Sequence, residues 1–178
     1  MKWRLMLSLL GILAAPVLAA PVKAEPTQEW VTWPSVGQAK LSWLWFDIYH
    51  STLRSPSGRY EGDGSTVALQ IVYQRDISAE ELLKATEEQW QQLGFTDEQV
   101  AQWLPQLSAI FPSVNQGDQL VYVSSANKGR FYWRQQASST FEPLAHIDNP
   151  QLDSAFLAIW LSPNSAYPKL RQQLIGAT

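Results

Sequence analysis

Apolar residues change their spacing several times along this chain, and each change marks an element. Val67, Leu69, Ile71 and Tyr73 alternate with Ala68, Gln70 and Val72, the period-two pattern of a strand. After Ile77 the period lengthens. Ser78 with Glu81 three positions on forms a capping box, and Leu82, Thr86, Trp90 and Leu93 then share one helical stripe that stops at Gly94. Thr96 with Gln99 repeats the box. Val100, Trp103, Leu104, Leu107, Ile110 and Phe111 follow at helical spacing, with Pro105 expected to kink or split the helix and Pro112 to end it. Residues 120–124 and 130–135 read as a β-hairpin turning around Asn127, Lys128 and Gly129. A short strand is expected at 141–147. Pro150 opens a helix whose inner stripe is Leu152, Ala155, Phe156 and Ile159, and a last helix spans about 168–175.

The most β-prone stretch is 40–49. Leu41, Trp43, Trp45, Asp47 and Tyr49 fall on one side of a strand, and Lys40, Ser42, Leu44, Phe46 and Ile48 on the other. Both sides are mainly apolar, which predicts one strand covered on both faces and running to about residue 53. Asp47 then needs a partner, and an arginine is expected. Short strands are further expected at 29–33 and 59–61. The order of strands, two helices, a hairpin and more helices gives an α+β fold, with a mostly antiparallel sheet and helices on one side.

The N-terminus reads differently. Lys2 and Arg4 precede an apolar run from Leu5 to Leu18, and Val22-Lys23-Ala24 offers small residues for cleavage. This predicts a signal peptide over 1–24, an exported protein of the bacterial periplasm, a single domain over 25–178 and no integral membrane segment after processing. Losing Lys2, Arg4 and Lys23 would leave a chain more acidic than the −3 of the whole, which argues against nucleic acid as a partner. There is no cysteine, so stability rests on core burial. Nine tryptophans imply either an aromatic core or an aromatic-walled pocket.

Candidate chemistry is sparse. Two histidines, His50 and His146, lie far apart with no metal-ligand spacing, and no G-x-S-x-G, GxGxxG or P-loop occurs. Glu80-Glu81 and Glu87-Glu88 occupy helix positions that suit solvated faces.

The ordered series Val36-Gly37, Phe46-Asp47-Ile48-Tyr49, Leu69 to Ile77, Phe111-Pro112, Gly117-Asp118, Ala155 to Leu161, Leu170-Arg171 and Leu174-Ile175-Gly176 resembles the exported bacterial branch of the chalcone isomerase-like family. The resemblance implies an open-faced β-sandwich, a long sheet under a layer of helices with a ligand cleft between them. In the family's enzymes a flavonoid ring closes in that cleft, and in its fatty-acid-binding relatives an acyl chain lies there with its carboxylate on an arginine and a tyrosine. The alignment sets Leu44 and Ile159 where the enzymes carry hydroxyls, and Phe95 or Thr96 where they carry a tyrosine. Leucine, isoleucine and phenylalanine cannot stabilise an oxyanion, which counts against the cyclase reaction. The resemblance thus implies a non-catalytic domain without a cofactor that binds a fatty acid or similar hydrophobic ligand. Leu44, Phe46, Ile48, Phe156 and Trp160 would form the wall, and Tyr49, Arg54 and Arg75 are the polar candidates. An acid–base isomerase of an unidentified small molecule, and an interaction protein of the cell envelope, stay open as alternatives.

Overall fold

A computed structural model describes residues 28–177. The stretch expected to be a signal peptide, 1–24, lies outside them. A single sheet of six antiparallel strands runs in sequence order: β1 (Ser35–Trp43), β2 (Phe46–Arg54), β3 (Val67–Tyr73), β4 (Gln119–Ser125), β5 (Lys128–Arg134) and β6 (Glu142–Ile147). Helices α1 (Ala79–Gln92) and α2 (Asp97–Ser108) lie between β3 and β4, and α3 (Pro150–Leu161) and α4 (Pro168–Leu174) follow β6. This is the α+β, sheet-under-helices architecture expected. Pro143 sits in β6, an edge strand, beside the register shift between Phe131 and Tyr132, the kind of position where a strand tolerates proline.

Strand alternation builds the main core. Val67, Leu69, Ile71 and Tyr73 join Leu53, Leu120, Tyr122 and Phe131 under Trp90, Trp103, Leu107, Phe156 and Trp160 of the helices. Trp90 donates its indole N–H to Ala155 O at 2.8 Å, tying α1 to α3 inside this core. A smaller cluster on the reverse face sets Ala68, Val121 and Tyr132 beneath Trp30. Trp30 belongs to a short 3-10 turn, Glu29–Thr32, and not to a strand as its sequence suggested. Residues 59–61 form no strand either.

Both capping boxes form, at Ser78 with Glu81 and Thr96 with Gln99. Pro105 does not split α2. One missing backbone donor is tolerated, and the helix stops at Ser108, before Ile110 and Phe111. The hairpin turn falls one residue earlier than its sequence suggested. Ala126 and Asn127 both have positive φ (52° and 59°), and Ser125 pairs with Lys128. Gly129 therefore has another cause. A Cβ there would sit 1.8 Å from the Tyr122 hydroxyl.

The largest departure concerns residues 40–49. They do not form one strand. β1 ends at Trp43, Leu44 and Trp45 turn, and β2 starts at Phe46. Leu44 takes φ 54°, with no glycine, asparagine or proline to announce the reversal. The stretch is not covered on both faces: Trp43, Leu44, Trp45 and Phe46 are 67%, 71%, 94% and 62% exposed. Asp47 meets Lys40 at 3.1 Å and accepts from Ser42 Oγ at 2.7 Å, so its partner is a lysine across the hairpin and not an arginine. The Ser42 bond, with Lys40 adding to it, lowers its pKa below the ordinary aspartate value.

Candidate functional site

The register of the β1–β2 hairpin prepares a cleft. Leu41 pairs with Tyr49 and Ser42 with Asp47, leaving Ile48 without an opposite residue. This bulge lets the consecutive residues Ile48 and Tyr49 both reach the helix side. Tyr49 pairs in turn with Tyr73 of β3. Leu82, Ala85 and Thr86 of α1 and Phe156, Ile159 and Trp160 of α3 close over them and enclose a narrow space of about 160 Å³.

Thr86, Glu81, Tyr49 and Trp160 among its polar groups are engaged, while Gln89, Tyr167 and Tyr73 line it without a side-chain hydrogen bond among the described residues. Thr86 Oγ1 donates to Leu82 O at 2.8 Å within its own helix. Glu81 stands at the exposed rim, and one of its oxygens accepts from both Ser78 N and Ser78 Oγ. Those Ser78 bonds hold its carboxyl below the ordinary glutamate range. Trp160 Nε1 donates to Tyr49 Oη at 2.9 Å, deep in the cleft. Tyr49 still has a proton to give, and Tyr73 Oη makes no side-chain hydrogen bond among the described residues. Burial raises both phenols well above the ordinary tyrosine value. They are therefore hydrogen-bond donors and not bases. No arginine, lysine or histidine among the described residues lines the space.

The structure brings together four of the eight expected site residues: Ile48, Tyr49, Phe156 and Trp160. Leu44 and Phe46 do not join the cleft wall, because the unforeseen turn carries them to an exposed tip. Arg54 does not reach the cleft either. It points to the N-terminal segment, where Nη1 donates to Trp33 O at 3.0 Å. Arg75 is exposed and lines a shallow surface hollow with Trp45, Phe46 and Asp47. Ile159 does line the cleft and brings no hydroxyl, while Phe95 packs edge-on against Trp103 instead. Tyr73 and Thr86 are the buried polar residues absent from the expected set, and Glu81, Gln89 and Tyr167 join them nearer the rim. Tyr73 closed the alternating row of β3, but its place beside Tyr49 depends on the register between two strands. His50 and His146 are both exposed, and no group of metal-binding side chains occurs among the described residues.

A wider hollow of about 580 Å³ lies against another side of α3. At its floor the buried Asp153 accepts from Tyr122 Oη at 2.7 Å and Ser124 Oγ at 2.8 Å. These bonds fasten α3 to β4.

Comparison with known proteins agrees with this geometry. A family profile described as chalcone isomerase-like matches residues 45–176. An uncharacterized protein of Haemophilus influenzae is 28% identical over 146 residues, which cover 82% of this chain and 69% of the relative. The crystal structure of a fatty-acid binding protein of Arabidopsis thaliana superposes with a TM-score of 0.58 at 9% identity, over 80% of this chain and 86% of that one. Among the described residues no helix is long and apolar enough to cross a membrane.

Proposed function

Since the chain belongs to the chalcone isomerase-like family, we propose that it is a non-catalytic member that holds a small uncharged hydrophobic ligand, or the leading part of an acyl chain, between its sheet and its helices. The observation that carries this reading is the lining of the cleft: mainly apolar walls, the buried hydroxyls of Tyr49 and Tyr73, polar Glu81, Gln89 and Tyr167 beside them, and no cation among the described residues. An ionised carboxylate taken into such a space would lack a counter-charge, at a cost of several kcal/mol. A carbonyl, an ester or a protonated acid could instead accept from Tyr49 and Tyr73. Acid–base turnover is disfavoured because neither buried tyrosine can act as a base near neutral pH, and the Glu81 carboxylate at the rim is a weakened base, its pKa lowered by its bonds to Ser78. The name of the Arabidopsis neighbour makes an acyl chain a reasonable ligand to test, and the likeness itself extends to the fold alone.

The space of 160 Å³ is below the ~300–1,000 Å³ usual for ligand sites. A ligand of useful size therefore enters by swinging Trp160 away from Tyr49. The filled state of the cleft favours a second reading, an interaction domain whose cleft never opens. Native mass spectrometry and solvent extraction of the protein isolated from its host separate the two. Recovery of a stoichiometric apolar molecule is expected. No recovered molecule, together with no uptake of a fluorescent acyl probe, would leave the interaction domain as the better account.

Export belongs to the proposal as well. It is supported by the basic, apolar and small-residue order of residues 2–24. N-terminal sequencing of the isolated protein is expected to begin at Glu25, and an intact Met1 start would remove it.

A further inference from the structure

The β1–β2 tip is used by neither the core nor the cleft. Trp43, Leu44, Trp45 and Phe46 are four consecutive large apolar residues, all more than half exposed, at the end of a two-stranded projection. Burial would favour folding them inward, yet the turn at Leu44 holds them out with a positive φ that a leucine rarely adopts. Polar residues ring the base of the tip: Lys40 pairs with Asp47 at 3.1 Å, and Ser42 donates to the same carboxylate at 2.7 Å.

We propose that this tip inserts into the interfacial zone of a lipid bilayer, with the Lys40–Asp47 pair and Ser42 staying at the headgroup level. Shape argues for lipid over protein. A stable protein interface takes roughly 20–30 residues a side, and a convex tip of four side chains cannot supply that. A bilayer closes around a convex apolar tip from all sides. Composition agrees, because an indole places its ring at the acyl boundary and its N–H among headgroups. Charge agrees too. The chain is acidic overall, and beside the tip the Lys40–Asp47 pair cancels to leave Arg75 as one extra cation, too little for attraction to anionic lipid to be the driving force. The tip also continues the strand pair that lines the cleft. Leu41 and Ile48, both on its wall, stand two residues from Trp43 and Phe46, about 7 Å along the strands. The inference does not require a ligand in the cleft.

Sedimentation with phosphatidylcholine vesicles tests this, comparing the wild-type full chain with the Leu44→Asn/Trp45→Ser variant. Asparagine tolerates positive φ, so the turn is kept, and both chains share the same N-terminal segment. The wild type is expected to bind neutral vesicles with little dependence on salt. The variant is expected to bind at least roughly tenfold more weakly, with an unchanged unfolding temperature. Trp45→Ser alone, at the most exposed side chain, is expected to lose most of the fluorescence quenching produced by lipids brominated along the acyl chain. Equal vesicle binding by wild type and variant overturns the proposal. So does binding that appears only with anionic lipid and vanishes in salt. Wild-type self-association in sedimentation velocity that the variant lacks, without vesicle binding, would make the tip a contact between copies instead.

Discussion

Trp160 of α3 donates its indole N–H to the hydroxyl of Tyr49 in β2 at 2.9 Å, and this one bond joins the helix layer to the sheet across the middle of the cleft. It satisfies a buried indole and at the same time fills the space a ligand would need. The latch and the lining of the site are thus the same two side chains.

Tyr49→Phe keeps the ring and removes the acceptor. Trp160 Nε1 is then buried without a partner, which should cost about 1–3 kcal/mol in urea unfolding. The same change frees Trp160 to move, so uptake of an apolar fluorescent probe should become faster. Trp160→Ala should cost more, about 3–5 kcal/mol, and should enlarge the cleft and tighten binding of the probe. If Trp160→Ala binds no more probe than wild type, the cleft is not the site.

The two arginines offer a contrast. Arg75 is exposed and is not part of the cleft lining, so Arg75→Ala should leave both stability and probe affinity unchanged within about 0.5 kcal/mol. Arg54→Ala loses the bond to Trp33 O, which fixes the N-terminal segment, and should cost about 1 kcal/mol of stability with no change in affinity. A large loss of probe affinity in either variant would put a head group where the geometry does not.

The sequence made much of this fold legible for identifiable reasons. The helices α1 and α2 announce themselves through paired caps, Ser78 with Glu81 and Thr96 with Gln99, and both boxes form as read. The rows Val67, Leu69, Ile71, Tyr73 and Leu152, Ala155, Phe156, Ile159 describe faces that are in fact buried or nearly so. The reversal at Leu44 and Trp45 was not legible. A turn normally shows itself by residues that favour positive φ, and here a leucine between two tryptophans takes that conformation. The alternation of 40–49 was real, but it ran through a hairpin. That error carried Leu44 and Phe46 into the expected cleft wall. Tyr73 was missed for a related reason: which residue faces Tyr49 depends on the β2–β3 register, and no local pattern encodes it.

Gly129 was easily read as a turn glycine and is instead a space for Tyr122. The ring passes over it to reach Asp153 at 2.7 Å, and a Cβ at 129 would meet both the hydroxyl and Cζ. Gly129→Ala should therefore destabilise by about 1–3 kcal/mol through overpacking. Tyr122→Phe should cost a similar amount, because the buried Asp153 loses one of its two donors. The two changes disturb the same bond, so the double variant should fall short of additivity by about 1 kcal/mol in denaturant titrations. Full additivity would mean that the glycine acts on something other than the Tyr122–Asp153 bond.

Alkaline pH should unfold this protein through its tyrosines. Burial raises Tyr49, Tyr73 and Tyr122 above the ordinary value of 10.0, with Asp153 adding to the effect at Tyr122. Half-buried Tyr60 is pushed up to about 12, by burial first and then by Asp63. Each phenol is neutral when protonated, and folding favours that neutral form. Above pH 10 the unfolded chain releases phenolic protons that the folded chain retains, so the unfolded state binds fewer protons and stability falls as pH rises. The stabilisation is complete below pH 10 and declines from there, with the Tyr60 share gone by about pH 12. Thermal unfolding followed from neutral pH upward should show a flat region and then a steep decline beginning near 10. Tyrosinate absorbance of the native protein should lag behind that of the unfolded chain. Tyr60→Phe should make the decline between 10 and 12 shallower without shifting its onset, since the three deeper phenols still drive it. A native titration that follows free tyrosine would show that water reaches these hydroxyls, and the cleft that Tyr49 and Tyr73 line would then not be the dry site its lining describes.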